Sequence, residues 1–466
     1  MNARKPEQRV ELDPVLIRKY DQAGPRYTSY PTADRFLAGF APERYERWLR
    51  WRAEQENPAP LSLYFHLPFC RTVCFYCACN KIVTRNREHA ARYLDALIRE
   101  IALQSRLLGP RREVKQLHWG GGTPTFFDSE QMRRLMDATR THFQLLPEGE
   151  YALEVDPRQI DAATVAAVRE LGFNRMSLGV QDFDPAVQQA VNRIQSEEET
   201  LQVIDAARRE GFRSISLDLI YGLPRQTVVR FERTLERVLA ADPDRISLYN
   251  YAHLPHRFKP QRRIRAEELP GPEVKLEILQ TAIERLTGAG YVYIGMDHFA
   301  KEQDELTQAQ RLGQIHRNFQ GYSTHADCDQ LALGITAIGK IGPLYGQNVP
   351  TLGEYYARLD QGILPIQRGL ECDADDLARR AVIQALMCQF ELHFDELRRS
   401  HGLDFSIDFA TERGELEAME ADGLLRLEAD ALRVTPRGRL LIRNICMVFD
   451  RRLREDREHR TYSRVI

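Results

Sequence analysis

The chain has 466 residues, 43% of them hydrophobic, and carries 65 Lys and Arg against 67 Asp and Glu, a formal charge of -2. That length predicts two or three domains with ample apolar material for a large core. The charge balance argues against a bulk nucleic-acid or membrane binder, and no apolar run approaches the roughly 18 residues of a bilayer span.

The N-terminal MNARKPEQRVELDP is charged and lacks the apolar centre of a secretory signal, so a cytoplasmic chain is expected. The first candidate strand, SLYFH from Ser62, leads into CRTVCFYCACN. Cys70, Cys74, Cys77 and Cys79 thus gather half of the eight cysteines on one loop, whereas Cys328, Cys372, Cys388 and Cys446 stand singly. In a reducing compartment such a cluster reads as metal-binding rather than disulfide-forming. Structural zinc usually takes two well-separated Cys pairs, and no second pair exists here. An ordinary ferredoxin-type cluster generally draws at least one of its four Cys from a distance. The C-x3-C-x2-C spacing fits a third case: three thiolates on three irons of a [4Fe–4S] cube, with the fourth iron open to a substrate or cofactor.

Next, ARYLDALIREIALQSRLL places Leu94, Leu97, Ile98, Ile101 and Leu108 on one helical face. Strands follow at VKQLHW (from Val114), YALEVD (Tyr151), NRMSLGV (Asn174), SISLDLIYG (Ser214) and RISLYNY (Arg245), with a helix FERTLERVLAAD before the last. This alternation predicts right-handed βαβ units and a parallel sheet, either an open or partial barrel or a flat doubly wound sheet. Ligands gather at the C-terminal strand ends in both, and there lie the cysteine loop, GGGTP and Asp156-Pro157. GGGTP by itself is only a tight turn, since no Gly-Lys-Ser/Thr follows. Beyond about Pro350, ARRAVIQALMCQFEL predicts a helix, and the segment 423–450 two short strands and a helix, a winged-helix-like arrangement. The Arg-rich tail RRLREDREHRTYSRVI reads as a solvated helix end.

The three-cysteine spacing after an aromatic strand (YFHLPFCRTVCFYC) resembles the radical S-adenosylmethionine (SAM) superfamily. Cys79, with LHWGGGTPT, LEVDPR, GFNRMSLGVQDF, VNR, LDLIYGLPRQT, YNYAHLP, IGMDHFA, HRNFQGYST and LLIRNIC, narrows the likeness. Together they are similar to the oxygen-independent coproporphyrinogen III oxidase family of haem biosynthesis (coproporphyrinogen dehydrogenases), from GPRYTSYPTA to the final SRVI. The resemblance implies a partial (βα)6 parallel barrel over 45–352, an N-terminal arm over 1–44 and a mostly helical C-terminal domain over 353–466.

It further implies that Cys70, Cys74 and Cys77 ligate a [4Fe–4S] cluster whose open iron binds SAM, cleaved to methionine and a 5′-deoxyadenosyl radical. Cys79 falls beside a second SAM rather than on iron, pointing away from the cluster if the loop is extended there; its bland alternative is a spare thiol. Gly121, Gly122 and Thr123 match the SAM-binding turn, where missing Cβ atoms would admit the ammonium and carboxylate. Glu154 and Asp218 are acids among apolar strand residues, so each needs a partner: a SAM group, or an internal salt bridge. Gln181, Arg193, Ala252 and Ile338 also fall at matching positions, as does Tyr64, which by default is core packing. Gly339 stands where a serine is expected.

The implied substrate, coproporphyrinogen III, has four propionates, for which KPQRRIR (259–265) and HRNFQ (316–320) are candidate partners or else solvated basic loops. The implied reaction abstracts hydrogen from a propionate β-carbon, releases CO2 and passes one electron to an acceptor, twice over, giving protoporphyrinogen IX. A low-potential electron donor, an electron acceptor and a monomeric state are expected. The rivals are a haem chaperone keeping the three cysteines, a radical SAM enzyme that opens haem, and a structural zinc protein.

Overall fold

The computed structural model describes residues 9–326, 328–455 and 462. Two compact units make up the chain: residues 36–271 with 327–371, and residues 1–35 with 272–326 and 372–466. They are discontinuous in sequence, unlike the linear division at 44 and 352. The reason is a return crossing: the chain leaves the first unit after 271 and re-enters it to pair Asp329–Leu333 in parallel with Leu61–Leu67.

The first unit holds six parallel strands, β1 (Leu61–Leu67), β2 (Glu113–Gly121), β3 (Gln144–Val155), β4 (Arg175–Gln181), β5 (Ser214–Tyr221) and β6 (Arg245–Asn250), each paired to the next. Helices α1 (Glu88–Leu107), α2 (Ser129–His142), α3 (Ala162–Glu170), α4 (Glu197–Arg209) and α5 (Val228–Ala240) make the crossovers. This is the (βα)6 arrangement expected. β5 shows why it forms: Ile215, Leu217 and Leu219 are buried on one face, while Ser216, Asp218 and Ile220 share the other. Capping is equally legible, with Ser196 and Glu199 in a capping box at α4 and Thr227 capping α5. Beyond β1 the sheet continues through Asp329–Leu333 into the antiparallel strands Ile338–Ile341, Leu344–Asn348 and Ile366–Glu371.

One buried acid pins that extension. Glu100 of α1 accepts hydrogen bonds from Gly334 N (2.8 Å), Tyr355 Oη (2.6 Å), Asn348 Nδ2 (2.7 Å) and Gln104 Nε2 (3.0 Å). Burial outweighs these donors and pushes the carboxyl up to about 7. A carboxyl raised by folding binds its proton more tightly in the native state. Its stabilisation is therefore complete below the unfolded-state value and is lost as pH rises towards 7. Between pH 5 and 7, wild type is expected to lose roughly 2–3 kcal/mol relative to Glu100→Gln. Urea unfolding of both proteins at the two pH values checks this; parallel pH responses would refute it.

In the second unit, Asp373 caps the helix Ala374–Gln389, which ends at Phe390 with φ 60°. This left-handed residue turns the chain into Glu391–His393, a strand that pairs with Ala431–Val434, itself paired with Leu425–Leu427. The sequence reading carried the helix through this strand, because nothing local marks Phe390 as a stop. The two strands and following helix (Ile442–Val448) otherwise match expectation. Two resembling motifs meet here: in LLIRNIC, Arg443 donates to Pro25 O (2.9 Å) and Gly24 O, and Asn444 to Tyr20 O (2.7 Å). They thereby hold the GPRYTSYPT arm. The tail is a correction: Arg451 and Arg452 pair with buried Asp376, and Arg454 with buried Glu412, so its start is ion-paired rather than solvated. Residues 456–461 and 463–466 lie outside the described residues. Among the described residues no helix is long and apolar enough to cross a membrane.

Candidate active site

The cysteine loop leaves β1 and is pinned at both ends by a two-residue parallel ladder, Phe69 opposite Ile82 and Cys70 opposite Val83. Between these ends, Val191 O accepts from Phe75 N (2.9 Å), Asn192 Nδ2 donates to Val73 O (2.7 Å), and Gln261 Nε2 donates to Tyr76 O (3.0 Å). Phe75 and Tyr76 pack on a buried apolar cluster of Val187, Val191, Leu223, Tyr251 and Ile264. A loop with little secondary structure is thus held by fixed donors and a hydrophobic floor.

All eight cysteines are free thiols. Donors approach those of the loop: Thr123 Oγ1 lies 3.6 Å from Cys70 Sγ, and Cys74 Sγ receives Arg193 Nη1 at 3.6 Å and Arg158 Nη2 at 3.7 Å. Burial pushes Cys70 up to about 11, with Thr123 working against it. Cys77 is drawn down to about 6, chiefly by a hydrogen bond from Cys79, with Lys81 helping against burial. The chain bends at Cys79 instead of running extended, and the Cys77 and Cys79 thiols act on each other's ionisation. Among the described residues, no three His, Cys, Asp or Glu side chains converge on a single metal-ion position.

Behind Cys74 stands an ion-pair cluster that sequence reasoning passed over. Asp156 accepts from Arg158 Nη2 (2.6 Å) and lies 3.3 Å from Arg193 Nη2. Burial alone would raise its carboxyl, but the two guanidiniums hold it below the usual range. The signal lay in LEVDPR, where Asp156 and Arg158 flank a proline at a strand end.

The glycine turn is packed by the protein itself. A Cβ on Gly120 would sit 2.6 Å from Glu154 Oε1, one on Gly121 (φ +108°) 2.5 Å from His66 Cε1, and one on Gly122 2.6 Å from the Pro68 carbonyl carbon. Backbone excludes a Cβ at Gly122, the positive φ disfavours one at Gly121, and at Gly120 the Glu154 carboxylate would have to move. Gly122→Ala meets backbone that cannot rotate aside and is expected to cost about 1–3 kcal/mol. Gly353→Ala, with nothing within 4 Å, is the control. Equal thermal midpoints for the two variants would contradict this account.

Glu154, whose side chain is 43% exposed, accepts from Gly121 N (3.0 Å) and lies 3.1 Å from His118 Nε2. Although burial of its surroundings opposes ionisation, these partners hold its carboxyl below the usual value. Tyr64 stacks on His118 with centroids 5.9 Å apart, and its hydroxyl lies 3.1 Å from His66 Nδ1, whose Nε2 meets Asn80 O at 2.9 Å. Across the barrel, Asp218 accepts from Ser177 Oγ at 3.1 Å. Burial, then the Glu154 charge, push it up to about 6. Gln181 ends β4 at φ 69° after a bulge, its amide against Gly179, whose carbonyl Arg193 also binds.

The structure therefore brings Tyr64, Gly121, Glu154 and Asp218 to one end of the strands, and Thr123 and Arg193 to the thiols. Ala252 lies half-buried just after β6, and Ile338 heads an antiparallel strand outside the six; neither shares a hydrogen bond with that set among the described residues. A Cβ on Gly339 would stand 2.7 Å from Tyr45 Oη, which accounts for glycine beside Ile338. His66 and His118 were missed, although YFH and LHW place them one strand period from Tyr64 and Gly120. Of the basic candidates, Arg263 lies over Phe75, Arg265 pairs with Glu267 and Glu268, and Arg317 is only 3% exposed over Tyr322.

Comparison with known proteins agrees with this fold. Residues 64–238 match the radical SAM superfamily, and residues 372–441 the HemN C-terminal domain. The oxygen-independent coproporphyrinogen III oxidase of Pseudomonas aeruginosa is 53% identical over 98% of this chain and 99% of its own. Its Escherichia coli counterpart is 47% identical over 98% and 99%. The solved structure of coproporphyrinogen III oxidase (HemN) from Escherichia coli, described as a radical SAM enzyme, superposes with a TM-score of 0.91, at 46% identity, over 96% of this chain and 100% of that one. The chain belongs to the oxygen-independent coproporphyrinogen III oxidase family of the radical SAM superfamily.

Proposed function

We infer that this protein is a coproporphyrinogen dehydrogenase: it oxidatively decarboxylates two propionates of coproporphyrinogen III to vinyl groups, giving protoporphyrinogen IX without oxygen. The observation that carries this reading is a three-thiol loop following the first strand of a (βα)6 sheet, within a chain alike over 98% of its length to oxygen-independent coproporphyrinogen III oxidases. The haem chaperone and haem-opening readings are not favoured.

The cofactors are a [4Fe–4S] cluster and SAM, and the donor set fits them. Soft thiols are present, and Thr123, Arg158, Arg193 and Lys81 provide hydroxyl and cationic donors around them. Cys70, Cys74 and Cys77 are the proposed ligands. When bound, cluster and SAM supply a one-electron cleavage that yields a hydrogen-abstracting carbon radical. The protein's tasks are then placement and exclusion of water. Glu154, held ionised by His118 and Gly121, is suited to an ammonium or ribose hydroxyl. Asp218, with its raised carboxyl, suits a less strongly cationic neighbour, as a second SAM site would present. Tyr64, Gly121, Gly122, Thr123, Gln181, Arg193, Ala252 and Ile338 complete the proposed cofactor-binding set. Cys79, two residues beyond Cys77, is proposed to act beside the cluster rather than on iron.

Each propionate loses one β-hydrogen atom, one electron and CO2, so the reaction needs an electron acceptor as well as a low-potential donor. A monomer in the cytoplasm completes the proposal. The test is anaerobic turnover of reconstituted protein with coproporphyrinogen III, SAM, a low-potential reductant and a cell-extract acceptor. Loss of two CO2 and two hydrogen pairs is expected by mass spectrometry, with 5′-deoxyadenosine as co-product. SAM cleavage with coproporphyrinogen untouched and haem bound would instead favour the chaperone or haem-opening reading.

A further inference from the structure

On the flank of the cysteine loop lies a cavity of about 500 Å3 lined by Arg71, Arg85, Arg87 and Arg158 around Phe126 and Thr72. No acid lines it. Arg158 shares the Asp156 carboxylate with Arg193. Arg87 donates to Phe126 O and lies over that ring at 5.1 Å, a fixed cation without a carboxylate. Arg71 and Arg85 are exposed and make no ion pair or hydrogen bond among the described residues. Three uncompensated guanidiniums around one opening repel each other, and an anion relieves that repulsion while using their planar donors.

Position limits what the anion is for. Arg71 and Thr72 lie between Cys70 and Cys74 in sequence, and Arg158 touches Cys74 Sγ at 3.7 Å. Tyr64, Glu154, Gln181 and Asp218, the groups facing the proposed reaction space, do not line the cavity. An occupant there is next to the thiols but not among the groups assigned to substrate and SAM.

Resting on the reading above, we propose that this cavity docks a carboxylate-rich electron-donating protein, which passes electrons singly to the centre held by Cys70, Cys74 and Cys77. In each transfer the donor's redox group is oxidised by one electron, the centre is reduced by one, and no atom changes hands. A small, charge-matched patch suits such a partner, because electron-transfer encounters are brief and use small interfaces. Complementary charge acts mainly on their association rate and salt dependence.

The test uses full-length reconstituted protein and Arg71→Glu/Arg85→Glu, with a purified acidic flavodoxin as the probe. Flavodoxin binding, measured by interferometry at about 50 and 300 mM salt, is expected to weaken about tenfold or more in the variant and to lose much of its salt dependence. Flavodoxin-driven turnover at subsaturating donor falls correspondingly. Turnover with dithionite-reduced methyl viologen, iron content and KM for coproporphyrinogen III stay at wild-type values. Unchanged flavodoxin affinity and salt dependence would overturn the proposal. A raised KM for coproporphyrinogen III with both reductants would also overturn it, making the cavity a substrate-carboxylate site. Failure of wild type to turn over with viologen would strike the dehydrogenase reading instead, and the binding measurement would still decide the docking site.

Discussion

Cys74→Ala is expected to yield a folded protein that retains no complete cluster and loses activity by at least about a thousandfold. The fold survives because the loop has other anchors: the Phe69–Ile82 ladder, Asn192 on Val73 O, Gln261 on Tyr76 O, and the floor beneath Phe75 and Tyr76. Chemistry does not survive, because Cys74 is the middle thiol of the three and the one gripped by both Arg158 and Arg193. Iron and sulfide analysis, SAM cleavage and thermal midpoint are measured together. Cys79→Ala provides the contrast: it removes the thiol two residues beyond Cys77 and is expected to keep iron while losing turnover. Full iron content and activity in Cys74→Ala would remove that residue from the ligand set. Loss of iron in Cys79→Ala would move that cysteine into it.

The strands and crossover helices were legible because their patterns are local. In β5 the alternation alone places Asp218 opposite Leu217 and Leu219, and in α1 the apolar stripe predicts which face is buried. The Cys spacing was legible for the same reason. What escaped was decided by long-range partners. The glycines of GGGTP read as a turn open to a ligand; that an added Cβ would meet His66, Glu154 and the Pro68–Phe69 backbone was not legible. Asp156-Pro157 read as a strand end; only folding brings Arg193 to Asp156 from a distant loop. The tail arginines read as solvated because Asp376 and Glu412, their buried partners, lie far away in sequence. Charged residues show this most sharply: their type is visible in sequence, whereas their partners belong to the fold.

Arg193→Ala is the second large effect, and it falls on stability. Arg193 is 6% exposed, reaches Asp156 at 3.3 and 3.4 Å, touches Cys74 Sγ at 3.6 Å and donates to Gly179 O. Removing one member of a buried ion pair typically costs about 3–5 kcal/mol, because the other charge remains desolvated. Arg158 still holds Asp156 at 2.6 Å, which places the expected loss near the lower end of that range. The pH response identifies the cause. Asp156 has a depressed carboxyl, so its contribution is present above the unfolded-state value near 4 and is lost as pH falls through the native value. The gap between wild type and Arg193→Ala should therefore be widest at neutral pH and narrow on acidification. Arg193→Lys restores the charge without the two-pronged reach and should fall between them. In a double-mutant cycle, Asp156→Asn with Arg193→Ala should lose less than the sum of the single variants. Additive losses, with a gap insensitive to acid, would mean that Arg193 works through packing or Gly179. The ion pair behind Cys74 would then not be what holds the loop in place.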